Sequence, residues 1–340
     1  MEKDISALEL HYLAKELSAL KNGRVNKIYQ SETATYIQIN VSNEGKKFLK
    51  IILPGKVYMA ETKEELEESG KFALALRKHI ENAKILKVNQ IEFERILEIQ
   101  VEAKGCPLSL YFELFKPGNI ILCNSENRII MARDYHAFGS RMIRPNIDYK
   151  YPTRPVNLIE IEERAFAEIM DKSNKDSIVI TLAVDLGLGG LYAEEACLRA
   201  GIGKSSKKLT EDEKRQLFIS CKELCDIAPK PTVYREDGTI RHATPFELIS
   251  LAQLEKIYVP SFSAGIGMLP DIIIPQNMSD KERLRLESIY NSQLRQIEEF
   301  ESASIDYQLK GEKIYSNYME IDSSLKTREK KHGRFSVEVE

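Results

Sequence analysis

The chain has 340 residues, with 49 Lys and Arg against 52 Asp and Glu, for a net charge of −3. That length allows two or three domains with a real core, while the charge gives no global signal for nucleic acid, so any such role must rest on local basic patches. Five cysteines without CxxC spacing argue against a disulfide framework or a zinc site, and the absence of a signal region after Met1 or of any membrane-length apolar run makes the expectation a cytoplasmic protein without a membrane partner.

Ser6-Ala-Leu-Glu9 is a capping box that opens a helix to about Leu20, with Leu8, Leu10, Leu13 and Leu17 on its apolar face and Asn22-Gly23 as its stop. Alternating runs at 24–30, 35–41 and 47–53, separated by polar turns, predict an antiparallel meander. Pro54-Gly55 turns the chain into 57–59. A helix is expected from Lys63 to Glu81, with Leu66, Phe72, Leu74 and Leu76 inward and Arg77, Lys78 and His79 complementing its C-terminal dipole. Strands resume at 85–91, 95–101, 108–115, 119–123 and 128–133. The first ~135 residues therefore read as an α+β domain with a large, mostly antiparallel sheet.

From Arg128 to Arg154 cations cluster with interleaved aromatics: Arg133, Arg141, Arg144 and Lys150 stand among Tyr135, Tyr149 and Tyr151. This is one footprint of single-stranded RNA contact; a solvated basic loop is the alternative. The next signal is Asp185-Leu-Gly-Leu-Gly-Gly190, between the apolar run 178–184 and a helical run ending at Gly201. It predicts helix, tight turn, helix. A helix starting at glycines offers unpaired N–H groups and a positive dipole end to a phosphate, which makes Gly187, Gly189 and Gly190 candidates for RNA backbone; a plain helical hairpin with close packing is the other reading. Lys204, Lys207 and Lys208 form a basic loop after it.

Thr210-Glu-Asp-Glu213 caps a helix to about Ile227, in which Cys221 and Cys225 share a face as buried thiols. The run 232–241 is a hairpin turning at Asp237-Gly238, expected to rejoin the first sheet and so to make the helical module an insertion. Val259 to Pro275 reads as a linker or extended cover. From Ser279 the chain is charged and helical, with Leu284, Leu286, Ile289, Tyr290, Leu294, Ile297 and Phe300 as an apolar stripe, followed by a basic end at 326–334.

In this order the motifs resemble those of the NFACT family, ribosome quality-control factors of the NEMF/RqcH type that are also labelled fibronectin-binding protein A-like. The matching stretches are Ile5-Ser-Ala-Leu-Glu-Leu10, Leu76-Arg-Lys-His-Ile80, Phe93-Glu-Arg-Ile-Leu97, Glu113-Leu-Phe-Lys-Pro-Gly-Asn-Ile-Ile-Leu122, Arg141-Met-Ile-Arg-Pro145 with Tyr149, 187–201, and Gly311-Glu-Lys-Ile-Tyr-Ser-Asn-Tyr318. The resemblance covers essentially the whole chain and points to a prokaryotic, archaeal type. It implies a bilobed domain like that of formamidopyrimidine-DNA glycosylases, an inserted helix-two-turns-helix module and a coiled arm, with boundaries at 1–172, 173–228, 229–277 and 278–340. Members bind a large ribosomal subunit carrying stalled peptidyl-tRNA, recruit a charged tRNA (alanyl-tRNA in prokaryotes) and promote untemplated tailing of the nascent chain. No cofactor or small-molecule substrate is implied.

The family's acidic position in the first helix falls on Glu9, its Asp-Arg pair on Glu94-Arg95, and the acidic residue opening the later signature on Glu113. Lys116, Arg141 and Arg144 complete the implied tRNA-binding set. Glu replaces the more usual Asp at positions 9 and 94, moving each carboxylate by about one methylene, and Asn146 stands where Gly is common, a conformation Asn tolerates. The family's later RNA-binding domain has no counterpart, as expected of an N-terminal part or a shortened member. Glu94-Arg95 without the resemblance reads as a solvated pair at a strand start, and Glu9 as a plain capping residue. Glu113 lies in an apolar run and needs a partner, Arg95 across the sheet or a ligand.

Catalysis finds little support. His11, His79, His136, His242 and His332 have no evident nucleophile partner or metal-ligand spacing. A glycosylase of this fold works with an N-terminal proline amine, and here Met1 is followed by Glu2. The expectation is a non-enzymatic RNA-binding factor, weighed against a DNA-processing enzyme and a surface adhesin.

Overall fold

The computed structural model describes residues 4–270 apart from 32, 64–69, 139–140 and 153–155, and residues 288–322 apart from 291, 294–295, 298–299, 301–303, 305–306, 309 and 320. The chain divides into two units, Met1–Ile274 and Pro275–Glu340.

In the first unit, α1 (Ala7–Leu17) starts at the expected capping box, Ser6 Oγ accepting the Glu9 N–H and the Glu9 carboxylate accepting the Ser6 N–H. A 3₁₀ turn over Ser18–Leu20 and left-handed Asn22 (φ 70°) end it. The strands β1 (Arg24–Gln30), β2 (Thr35–Val41), β3 (Gly45–Ile52) and β4 (Lys56–Ala60) form the meander, α2 (Lys71–Ile80) follows, and β5 (Lys84–Gln90), β6 (Ile96–Ala103), β7 (Cys106–Glu113), β8 (Asn119–Cys123) and β9 (Ile129–Ala132) complete one nine-stranded antiparallel sheet in the order β4-β3-β2-β1-β5-β6-β7-β8-β9. The α+β class with a large antiparallel sheet is thus observed. Residues 64–69 of the expected long helix, Leu66 among them, lie outside the described residues. Leu74 is not inward: it is 48% exposed, because the buried face of α2 is Ala73, Leu76 and Ile80 at helical spacing.

The sheet repeats itself. Left-handed Asn22 before β1 is matched by Asn82 (φ 64°) before β5, and Gly45 (φ 78°) opening β3 by Gly105 (φ 78°) before β7. The bulge between Val25 and Lys27 is matched by one between Ile85 and Lys87. The two repeats, α1 with β1–β4 and α2 with β5–β8, meet where Arg24 pairs antiparallel with Lys84. That antiparallel junction puts the β3–β4 and β7–β8 turns at opposite corners of the sheet. They nevertheless touch: a Cβ on Gly118 would lie 2.9 Å from Pro54 Cα and 3.0 Å from Leu53 Cβ. The sheet is therefore rolled corner to corner around α1, of which eight residues are buried.

A ribbon of β10 (His136–Phe138) and β11 (Arg141–Ile143) follows. The helical module then comprises α3 (Glu163–Lys172), which the pattern did not announce, α4 (Ile178–Ile180) running into a π turn at Thr181–Asp185, α5 (Gly190–Arg199) and α6 (Glu211–Leu224), the last with its expected capping box at Thr210. The hairpin β12 (Thr232–Glu236) and β13 (Thr239–Thr244) turns at left-handed Asp237 and Gly238 as expected, but it does not rejoin the first sheet. It pairs with β14 (Glu255–Tyr258) in a separate sheet of order β13-β12-β14. Both edges of the large sheet are taken: β4 donates its Met59 N–H to Ser263 Oγ, and Ile129 of β9 exchanges bonds with Asn146 and Ile147.

Ser263 belongs to α7 (Phe262–Met268), so 259–275 is no plain linker. Its N-terminal amides are held by Glu16 of α1 (Phe262 N–H at 2.7 Å). Its glycines permit contact, a Cβ on Gly267 falling 3.2 Å from a Tyr58 ring carbon. Cys221 and Cys225 are buried; burial raises both thiols, that of Cys225 to about 11.

In the second unit the described residues are largely helical, with Ile289, Tyr290, Ile297 and Phe300 of the expected stripe exposed. Leu284, Leu286, Leu294 and the basic end lie outside the described residues. Among the described residues, no helix is long and apolar enough to cross a membrane.

Candidate nucleic-acid interface

The rolled sheet brings several loops to the N-terminus of α1. The Ile5 N–H bonds Gly55 O at 3.0 Å, fastening the α1 entry to the β3–β4 turn, which itself touches the β7–β8 turn carrying Lys116 and Gly118. A Cβ on Gly189 would lie 3.2 Å from Ser6 Cβ, so the glycine turn of the helical module abuts the same point. Tyr192 of α5 donates from its hydroxyl to Glu9 Oε1 at 3.0 Å, and burial next to that carboxylate drives the phenol well above its ordinary pKa. Glu9 is itself buried, one oxygen on the cap and the other on Tyr192. It ties the module to α1 from inside.

The β5–β6 turn reaches the same corner. Glu92 (φ 43°) and Phe93 (φ 56°) are consecutive left-handed residues of large side chain, a strained turn of the kind found where function dictates geometry. Gln90 Nε2 donates to Ala7 O and Glu94 O, holding the turn on α1. Glu94 and Arg95 precede β6, which starts at Ile96, and Glu94 is buried rather than solvated, a correction to the bare reading of the pair. Arg95 faces Asp4 Oδ2 at 3.4 Å, both about 30% exposed, a pair worth little in stability.

Glu113 has a different partner from the one expected. Arg95 does not reach it; its carboxylate takes the Arg141 guanidinium and the Tyr149 hydroxyl (2.8 Å), and Arg141 also lies over the Tyr149 ring at 5.6 Å. β7 and β11 carry the two charges on facing sides, which sequence distance conceals. Burial and Glu113 raise the Tyr149 phenol. The two clusters are neighbours, because the Leu114 N–H bonds Arg95 O at 2.8 Å.

At the glycine turn Gly187 (φ 73°) and Gly189 (φ 77°) hold left-handed backbone, and Gly190 begins α5. The Leu188 and Gly189 amides bond back to Leu182 and Ala183, so the donors at this end are the first-turn amides of α5. Lys204 pairs with Glu194, while Lys207, Lys208 and Arg144 are exposed. The corner thus unites Glu9, Glu94, Arg95, Gly189 and the turn that carries Lys116, next to Glu113 and Arg141, with Gly187 two residues before Gly189; the basic loop and Arg144 stand apart in the contacts described. Sequence reasoning missed Asp4, Tyr192 and the role of Gly118. The recurrence of Pro-Gly at 54–55 and 117–118 was the available signal. Among the described residues no group of His, Cys, Asp and Glu has metal-site geometry.

Residues 6–327 match the NFACT N-terminal and middle domains. The archaeal Rqc2 homolog aRqcH of Methanocaldococcus jannaschii is 30% identical over 347 residues, covering 96% of this chain and 52% of that protein. The Rqc2 homolog RqcH of Bacillus subtilis is 27% identical over 199 residues, covering 54% of this chain and 35% of its own length. The chain thus spans about half the length of the archaeal relative or less of the bacterial one. Among solved structures, the fibrinogen binding protein from Staphylococcus aureus superposes with a TM-score of 0.64 at 19% identity, over 77% of this chain and 97% of that one, a likeness of fold. With nearly its full length matched, the chain belongs to the NFACT family.

Proposed function

We propose that this chain is the tRNA-recruiting part of a cytoplasmic ribosome quality-control factor. In this reading it binds a large ribosomal subunit carrying stalled peptidyl-tRNA and brings in a tRNA, alanyl-tRNA in the prokaryotic pattern, for untemplated tailing of the nascent chain. It is not an enzyme; the ribosome makes the peptide bonds. Relatives named as subunits of a ribosome quality control complex support the assembly. The observation that carries the RNA reading is the convergence at the α1 N-terminus of Arg95, the turn that carries Lys116 and the α5 first turn, two cation-bearing segments beside a helix end whose amides and dipole favour phosphate. Arg95 is the presented contact. Glu9 and Glu113 act from beneath, Glu9 by locking α5 onto α1 and Glu113 by seating Arg141. The module at 173–228 is the second RNA-facing element.

Arg95→Ala tests this. Losing one charge-assisted contact costs ~1–3 kcal/mol of binding, about 5- to 150-fold in tRNA affinity. The surface pair with Asp4 costs folding only about 1 kcal/mol or less. Equal tRNA affinity of variant and parent in filter binding removes Arg95 from the interface.

A further inference from the structure

The β10–β11 ribbon has two faces of opposite character. Its register pairs His136 with Ile143, Ala137 with Met142 and Phe138 with Arg141. In such a ladder paired residues share a face and successive pairs alternate. One face therefore carries Ile143, which is buried, and Arg141, which is fastened to Glu113 and whose Nε donates to Lys150 O at 2.6 Å. That face anchors the ribbon, as a two-stranded ribbon requires, since alone it is marginally stable. The other carries Ala137 and Met142, and the same alternation taken one residue further adds Tyr135 and Arg144. Exposure follows this pattern residue by residue: Tyr135 is 54% exposed and Met142 42%, with Ala137 and Arg144 also exposed. Packing accounts for the inner face and leaves an aromatic ring and a thioether in water on the outer one.

We propose that this outer face is a stacking platform for an unpaired nucleotide of the bound tRNA, with the Tyr135 ring under the base, Met142 alongside it and Arg144 at its phosphate. The inference rests on the tRNA-binding reading above. The charge around the platform selects the occupant: Arg144 is exposed on it, and the run 128–154 carries six Lys and Arg against two Asp, which complements a polyanion. A base supplies the flat apolar surface that the ring lacks, and its phosphate supplies the anion. The platform also stands on the Glu113–Arg141 cluster, one backbone bond from Arg95, so one RNA molecule spans both.

The chain has no tryptophan, so Tyr135→Trp introduces a single reporter at the platform. The probe is a transcribed tRNA titrated into the full chain. Expected are near-parental affinity and quenched emission for Tyr135→Trp. Tyr135→Ala should bind about 5- to 150-fold more weakly with an unchanged salt slope, and Arg144→Gln should have a slope smaller by about 0.7. Exposure of both residues keeps the fold out of the readout. Unquenched emission at saturating tRNA, or Tyr135→Ala binding as tightly as the parent, overturns the platform while parental binding leaves the tRNA-recruiting reading in place. A parental chain that binds no tRNA overturns both. Loss of large-subunit binding by Tyr135→Ala with tRNA affinity intact assigns the face to another occupant and likewise overturns the proposal.

Discussion

Glu195 of α5 is fully buried and accepts three hydrogen bonds from two directions: the Ile249 N–H at 3.0 Å, the Ser250 N–H at 2.8 Å and Arg199 Nε at 2.7 Å. It fastens the helical module to the loop between β13 and β14. Glu195→Ala strips a charged acceptor from two amides and one guanidinium. Bonds to a charged group contribute ~1.5–3 kcal/mol each. Arg199 is 23% exposed and turns to water when freed, so its share is small and the loss is dominated by the two amides. The expected destabilisation is about 3–5 kcal/mol, the range for removing one partner of a buried pair. A shift in urea midpoint at unchanged m reports it, and faster amide exchange at Ile249 and Ser250 places it in this loop. Acid provides the second axis. Burial alone would raise this carboxyl, but the Ile249 and Ser250 bonds and Arg199 outweigh it and hold it below the ordinary carboxylate value. Its contribution is therefore complete above the unfolded value near pH ~4.3 and is lost as pH falls through the lower folded one. Glu195→Gln lacks that acid limb, so its stability deficit narrows as the solution is acidified. A loss under about 1 kcal/mol for Glu195→Ala would refute the reasoning, because the three bonds at this carboxylate would then contribute little to holding the module on the β13–β14 loop.

Two further outcomes follow from the same packing. A fragment of residues 1–172 should be poorly soluble and melt without cooperativity, since α1 loses the Tyr12 bond to Leu224 O (2.8 Å), the Tyr192 bond to Glu9 and the Glu16 cap of α7; a sharp melt would show the sheet to be self-sufficient. Replacing Lys204, Lys207 and Lys208 together should lower the slope of log tRNA affinity against log salt by about 2, at ~0.7 per phosphate contact, or about 1.4 if Lys204 stays on Glu194, with every RNA weakened alike. An unchanged slope puts the loop outside the interface.

Local chemistry was legible before any coordinates. The capping boxes at Ser6 and Thr210, the left-handed stops at Asn22 and Gly201, the meander strands and the Asp237-Gly238 turn each depend on a few neighbouring residues, and each stands where the pattern put it. The order of motifs also sufficed for the family. What alternation cannot express is which edge a hairpin meets, or which cation a buried carboxylate finds. Glu113 and Arg141 are 28 residues apart, and Glu9 and Tyr192 are 183. The stretch that holds α7 reads as a linker or extended cover because its glycines are poor helix formers, whereas in the folded chain they admit Tyr58 and Val233. The corner that gathers Arg95, Lys116 and the glycine turn exists only because the duplicated sheet rolls around α1, and a roll is a sum of small twists over nine strands that no single stretch of residues encodes.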